Sequence, residues 1–212
     1  MVIADRTATR EVAFAASAAA QPGSADEREA TAAGHEQTEV FPLALFSVGG
    51  MMAFTLAGDL LTMFIALEAL SLPLYVLTAL ARRRRLLSQE AALKYFLLGS
   101  FSSAFFLFGA ALLYGFAGSV NLGTIAAALP VVNGKEGLLA AGTFMLLVGL
   151  LFKVGAVPFH SWTPDVYQGA PTPVTGFMAA CTKAAAFGAL LRLAYVGIAG
   201  ARWDWEVIVW VI

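Results

Sequence analysis

Apolar residues in this chain fall into long uninterrupted runs. A helix of about 20 such residues crosses a hydrocarbon core of about 30 Å and satisfies its own backbone hydrogen bonds. Stretches of that kind cover residues 41–58, 60–80, 92–116, 138–159 and 174–199, and residues 205–212 have the composition of a sixth that has only begun. The pattern predicts an all-α membrane protein, a polytopic transmembrane helix bundle with about five full helices plus part of a sixth.

The first 40 residues differ from the rest of the chain. They mix Ala, Ser, Gly and acidic residues and have no sustained apolar face. Segments of this composition cannot bury enough apolar surface to fold alone. We therefore expect residues 1–40 to be a polar, mobile cytoplasmic segment and residues 41–212 to form the bundle. Because the sequence stops inside the apolar run VIVWVI, it is interpreted as a fragment of a longer protein.

Composition and charge narrow the function classes. The chain is 59% hydrophobic and only 13% charged, so it cannot cover the surface of a soluble globule. Its net charge of −1 makes nucleic acid a poor partner. The single cysteine, Cys181, excludes an internal disulfide and most thiolate metal sites, and we expect it to be a small buried side chain. No metal site is predicted.

Four consecutive arginines at residues 82–85 indicate the orientation in the membrane. Basic residues beside a span are retained on the cytoplasmic side. Spans then alternate, which places the first 40 residues and the loop 160–173 inside. The loops 117–137 and 200–204 are placed outside.

Few ionisable residues remain inside the spans, and these are the candidate functional groups. Glu68 comes eight residues after Leu60 and Lys183 nine residues into its span, so both lie about 12–13.5 Å deep, near mid-membrane. Lys153 lies in a third span. Each charge opposes insertion by roughly 2.5–3.5 kcal/mol, so all three are functional candidates by default.

Burial raises the pKa of a carboxyl group and lowers that of an amine, so such groups can exchange protons near neutral pH. We expect Glu68 to approach Lys153, and a change in their separation would load or unload a proton. The alternative is that these charges only hold helices together.

The backbone after Lys153 predicts a broken helix. Pro158 has no N–H to give to the carbonyl of Val154, one residue past Lys153, so the proline is expected to interrupt the helix there. Broken helices at membrane depth often line hydrated ion sites. His160 follows on roughly the same face as Lys153, either as a proton relay or as an interfacial residue.

Lys94, four residues after Glu90, lies near the cytoplasmic end of its span. Its ammonium either extends to water or belongs to a proton path.

Four segments resemble the antiporter-like subunits of respiratory complex I, the proton-translocating NADH:quinone oxidoreductase. They are ALEALSLPLYVL (66–77), SQEAALKYFLLGSFSSAFFLFGAALLYG (88–115), LFKVGAVPFHSWTPDVYQGAPTPV (151–174) and CTKAAAFGALLRL (181–193). The segment PDVYQGAPTPV resembles the sequence of subunit N of the bacterial complex. The resemblance implies a multi-pass subunit of the bacterial cell membrane, with a fold of fourteen helices in two inverted repeats, of which this chain holds part.

The resemblance also implies roles for individual residues. Glu68 matches the glutamate of the fifth helix, Lys94 a lysine of the sixth, Lys153 the lysine of the broken seventh and Lys183 the lysine of the eighth. These would form a buried proton relay driven by quinone reduction elsewhere. No cofactor is expected in this chain, since NADH, FMN, iron–sulfur clusters and quinone belong to other subunits.

The implied partners are the other membrane-arm subunits of complex I and the lipid bilayer. Two alternatives stay open: a subunit of a multisubunit cation/proton antiporter, and a structural membrane fragment that does not pump. The family's first three helices and its later helices, including a second broken helix with its own lysine, have no counterpart here. Alone, this chain is not expected to pump.

Overall fold

The computed structural model describes residues 21, 23–33, 39–81 and 85–211, and this part of the chain is helical apart from its connections. A three-residue 3₁₀ turn, Ala199–Ala201, precedes the last helix. The helices in chain order are α1 (Ala25–Ala33), α2 (Val40–Leu56), α3 (Leu60–Thr78), α4 (Arg85–Ala117), α5 (Leu122–Ala128), α6 (Glu136–Val154), α7 (Trp162–Gly169), α8 (Thr172–Gly197) and α9 (Arg202–Val211).

Four of these helices, α3, α4, α6 and α8, are long and apolar enough to cross a membrane, and α2 is apolar but has 17 residues. The prediction of an all-α membrane bundle is confirmed. Helix α4 begins at Arg85, seven residues before the predicted start of its span. The prediction was based on apolar residues and therefore left out the polar first turns of the helix. Helix α8 contains two π-helical stretches, Met178–Thr182 and Leu193–Gly197.

The predicted polar segment lies mostly outside the described residues, except for α1, a short polar helix that sequence reasoning did not predict. Three of the four arginines, residues 82–84, also lie outside them. Arg85 is described, and its guanidinium forms an ion pair with Glu27 of α1. The predicted orientation in the membrane therefore stays a prediction.

The four long apolar helices and α2 form a closed ring. Helix α3 packs between α2 and α4, α4 packs along α6, and α8 contacts both α6 and α2. Side chains with no solvent exposure fill the space between them, among them Phe54, Leu70, Leu74, Phe106, Leu113, Leu146 and Leu150. The interior of this ring is therefore apolar, and a polar group placed there needs a protein partner.

Two helix starts are joined at one end of the bundle. Asp59 and Asn121 form an antiparallel bridge, and each caps the helix that follows it. The Asp59 carboxylate accepts from the backbone N–H of Thr62 at 2.8 Å and from its hydroxyl at 2.7 Å, and these bonds lower the pKa of Asp59. The pairing fixes the start of α3 relative to α5.

Helices α2 and α3 approach closely enough to exclude side chains. A methyl group on Gly50 would lie 2.4 Å from the backbone nitrogen of Leu70, whereas one on Gly49 would meet nothing within 4 Å. Beside this contact the Ser47 hydroxyl donates to the Leu70 carbonyl at 3.0 Å. Small residues commonly permit such approaches between membrane helices.

We expect Gly50→Ala to destabilise the bundle and Gly49→Ala to be tolerated. At Gly50 the backbone of α3 must move away, and overpacking of this kind costs typically about 1–3 kcal/mol. The measurement is the thermal unfolding temperature of the purified chain in detergent, followed by circular dichroism. Equal unfolding temperatures for the two variants would contradict the close α2–α3 contact.

Candidate functional site

Lys153 lies inside the bundle, and its side chain reaches from the last turn of α6 toward α3 and α4. The residue is 4% exposed. Its Nζ donates to the Ser71 hydroxyl of α3 at 2.8 Å and lies 3.1 Å from the Tyr95 hydroxyl of α4. The hydrogen-bond partners of the amine are therefore neutral hydroxyls. In a purely structural ion pair the partner would be a carboxylate.

Glu68 and Lys153 do not form an ion pair in the described part of the chain. Ion pairs within 4.0 Å in the described part of the chain join Arg85 to Glu27, Lys94 to Glu90 and Asp165, and Arg202 to Glu206. Glu68 is near enough to interact electrostatically with Lys153, but Ser71, one helical turn further along α3, is the residue that contacts the amine. The approach of Glu68 to Lys153 therefore stays a prediction, and the group that contacts the amine in this structure is the Ser71 hydroxyl.

The half-buried Glu68 side chain has an unusual feature. Its Oε1 atom is buried and has no hydrogen-bond partner among the described residues. Most buried polar atoms are paired, so an orphaned carboxylate oxygen calls for water, a proton or a mobile partner.

Helix α6 ends beside Lys153, and the end is made by Gly155 rather than by Pro158. Gly155 has φ 78°, and its N–H donates to the carbonyls of Leu151 and Phe152 at 2.9 and 3.0 Å. This left-handed cap suits glycine and stops the helix at Val154, five residues before the predicted end of the span. The helix thus ends one residue past Lys153, and Pro158, which was expected to cause the break, lies in the turn beyond.

Lys183 comes close to this helix end from α8. A methyl group on Gly155 would lie 3.4 Å from Lys183 Nζ and 3.3 Å from the Thr163 hydroxyl. The hydroxyls of Thr163 and Tyr167 are buried without hydrogen-bond partners in the described structure, and burial raises the pKa of Tyr167. The fold therefore places Lys153, Lys183 and the unpartnered Thr163 hydroxyl around the end of α6.

His160, a predicted site residue, and Cys181, which was expected to be buried, lie outside this group. His160 is exposed, and only its backbone carbonyl is engaged, by the N–H of Thr163 at 2.9 Å. Cys181 is exposed on the surface of the bundle, so the expectation that it is buried was wrong. It lies in the π-helical stretch Met178–Thr182 of α8.

Lys94 also lies apart from the buried lysines. Its ammonium contacts Glu90 at 2.8 Å and Asp165 of α7 at 2.7 Å, and these three side chains are 42%, 58% and 54% exposed. The contact with Asp165 joins α4 to α7. This arrangement resembles a surface ion-pair network more than a buried relay.

Sequence reasoning missed the hydroxyls and rings around Lys153. Tyr95 stacks on Trp162 with ring centroids 4.8 Å apart and planes inclined by 6°, and the Trp162 indole N–H donates to the Phe152 carbonyl at 3.0 Å. The spacing of Ser71, three residues after Glu68, was a usable signal because i and i+3 share a helix face. Nothing in the sequence singled out Tyr95.

The comparisons with known proteins agree with this architecture. A family described as "NADH:quinone oxidoreductase/Mrp antiporter, TM" matches residues 57–212. The chain belongs to this family of transmembrane proteins. It is 66% identical over 202 residues to the NADH-quinone oxidoreductase subunit N of Beutenbergia cavernae, covering 95% of this chain and 38% of that relative. The predicted resemblance to subunit N is confirmed.

Solved structures of the family are similar in fold. A chain of respiratory complex I from Thermus thermophilus matches with a TM-score of 0.65 and 54% identity, over 74% of this chain and 34% of that one. A chain of the Mrp complex from Dietzia matches with a TM-score of 0.67 and 29% identity, over 76% and 30%. The present chain thus spans 38% of the length of the subunit N relative and 34% and 30% of the two solved chains.

We predict that Lys94→Met and Asp165→Asn have the same small effect, since each breaks the same exposed contact between α4 and α7. Exposed pairs stabilise by about 0–1 kcal/mol. The measurement is the unfolding temperature, together with proton translocation by the full-length subunit in its complex. If Lys94→Met abolishes translocation while Asp165→Asn does not, Lys94 belongs to the proton path.

Proposed function

We propose that this chain is part of subunit N of a proton-translocating NADH:quinone oxidoreductase in a bacterial cell membrane. In this proposal protons move through Glu68, Lys153 and Lys183, driven by quinone reduction in other subunits. The other membrane-arm subunits and the lipid bilayer are its partners, and the redox groups belong to other chains. The identity to subunit N relatives supports the assignment.

One observation carries the proposal: a lysine amine is buried in the bundle with neutral hydroxyls as its hydrogen-bond partners. An amine in such surroundings is free to be charged or neutral, because no carboxylate pins it in the charged form. Lysine is suited to this role, whereas arginine stays charged in both states.

Movement of the Glu68 carboxylate, one oxygen of which has no hydrogen-bond partner among the described residues, would change the protonation state of Lys153. If the Glu68 carboxylate moves toward Lys153, it favours the ammonium, and if it moves away, it favours the free amine. A tenfold change in proton affinity corresponds to about 1.4 kcal/mol, and moving one charge through about 100 mV requires about 2.3 kcal/mol. A change of about 50-fold in affinity therefore matches a potential of about 100 mV.

Lys183 is the next group along the proposed route. Its amine lies beside Gly155, on the far side of the residue that ends α6, and it makes no hydrogen bond or ion pair with described residues. The orphaned hydroxyl of Thr163 lies near the same glycine. Exchange between Lys153 and Lys183 would pass through this polar gap at the helix end.

We expect Lys153→Arg to abolish proton translocation as completely as Lys153→Met. Arginine keeps the charge but cannot release its proton, whereas a purely structural charge would tolerate arginine better than methionine. The measurement is proton translocation coupled to NADH oxidation in vesicles that carry the full-length subunit in its complex. Lys135→Arg, at an exposed lysine, is the matched control. Near-normal translocation by Lys153→Arg would leave Lys153 as a helix-packing charge.

Glu68→Gln should slow translocation while assembly of the complex is retained, because glutamine keeps the shape of the side chain but carries no exchangeable charge. Glu68→Lys should be worse, since it sets like charges near each other. Glu29→Gln, at an exposed glutamate of α1, is the matched control. Normal translocation by Glu68→Gln would reduce Glu68 to a structural role.

A cation/proton antiporter subunit is the second candidate, and the similarity to the Mrp complex favours it. The identities favour subunit N, at 54% against 29% for the two solved structures. The two functions differ in their energy source. Proton movement that follows a sodium gradient and ignores NADH and quinone would support the antiporter.

A further inference from the structure

We infer that Tyr95 is a positioning residue for Lys153, with a hydroxyl that accepts a hydrogen bond from the ammonium and donates one to the free amine. This inference rests on the proposed function of Lys153 and adds the group that serves both of its protonation states. Tyr95 belongs to α4, a different helix from those that carry Lys153 and Ser71.

The two hydroxyls at Lys153 are not equivalent. The Ser71 hydroxyl donates its hydrogen to the Leu67 carbonyl at 2.5 Å, so it can only accept from the lysine. An acceptor of this kind stabilises an ammonium more than a neutral amine, because hydrogen bonds to charged groups are stronger. Ser71 therefore favours the charged state.

The Tyr95 hydroxyl does not donate to a backbone carbonyl as the Ser71 hydroxyl does. Its oxygen lies 3.1 Å from Lys153 Nζ and has no other hydrogen-bond partner among the described residues. A phenol both donates and accepts. When the lysine is an ammonium the phenol oxygen accepts, and when the amine has lost its proton the phenol O–H can turn to donate to the nitrogen lone pair. Rotation about one C–O bond is the only movement required.

Packing holds the Tyr95 ring in place, so rotation about the C–O bond is the main motion left to the side chain. The side chain is 1% exposed, one ring face stacks on Trp162, and the Tyr75 ring packs edge-on at a centroid distance of 4.7 Å. Tyr75 itself fits because residue 99 is glycine, where a methyl group would lie 2.2 Å from the Tyr75 hydroxyl oxygen. The hydroxyl thus stays within reach of the lysine in both states.

The two hydroxyls predict different responses to mutation. Tyr95→Phe keeps the stacked ring and removes a partner of both states, so the pH midpoint of translocation should stay in place while the rate falls about tenfold at every pH. Ser71→Ala removes a partner that favours the ammonium, so the midpoint should move about one pH unit lower.

The experiment measures the pH profile of proton translocation by the full-length subunit in its complex, in vesicles, for wild type, Tyr95→Phe and Ser71→Ala. A lower rate at an unmoved midpoint for Tyr95→Phe, beside a moved midpoint for Ser71→Ala, is the expected result. The inference is overturned if Tyr95→Phe moves the midpoint as far as Ser71→Ala, which would make Tyr95 an ordinary acceptor. Translocation at the wild-type rate by Tyr95→Phe overturns it as well.

A second measurement does not depend on translocation. In complex containing isotope-labelled tyrosine, the infrared C–O stretch of a phenol shifts when it changes from acceptor to donor. A tyrosine band that shifts with pH in wild type and is absent from the difference spectrum of Lys153→Met supports the inference, and no such band overturns it. Failure of the proposed function is a separate result, since Lys153→Arg would then translocate normally whatever the tyrosine band does.

Discussion

The burial of one amine constrains the rest of this structure. Lys153 is enclosed by apolar helices, where water cannot solvate it, so the protein must supply fixed hydrogen-bond partners. Those partners come from α3 and α4, so three helices have to be held in register at one nitrogen atom. The close packing of α4 along α6 and of α3 against α4 maintains that register.

In the proposed function, hydroxyl partners suit Lys153 better than a carboxylate partner would. A carboxylate in contact with Lys153 would strengthen the ion pair and make its proton hard to remove, whereas a removable partner lets the same lysine change state. Glu68 interacts electrostatically with the lysine but forms no ion pair with it in the described structure. One oxygen of Glu68 has no hydrogen-bond donor among the described residues. The site is therefore built around an interaction that is incomplete in this conformation.

The end of α6 serves this site in two ways. The cap at Gly155 stops the helix directly after Lys153, which leaves room for Lys183 and the Thr163 hydroxyl to approach from α8 and α7. The chain then returns through Trp162, whose indole N–H binds the Phe152 carbonyl and whose ring covers Tyr95. A helix end and an aromatic stack together position groups that regular helices would keep apart.

The sequence by itself determined the helical class, the approximate positions of the long apolar helices and the few charged residues within them, because each of these depends on local hydropathy and on side chains that lipid does not tolerate. It also marked a helix break near Lys153, although the break lies at Gly155 and not at Pro158, since a left-handed cap ended the helix before the proline could.

Only the tertiary structure decided what each charge contacts. The arrangement of the helices placed the Ser71 hydroxyl 2.8 Å from Lys153 Nζ, and the meeting of α4 with α7 paired Lys94 with Asp165 and stacked Tyr95 on Trp162. Distances of a few ångströms between different helices follow from how side chains pack along their whole length, and no local pattern in the sequence contains that information.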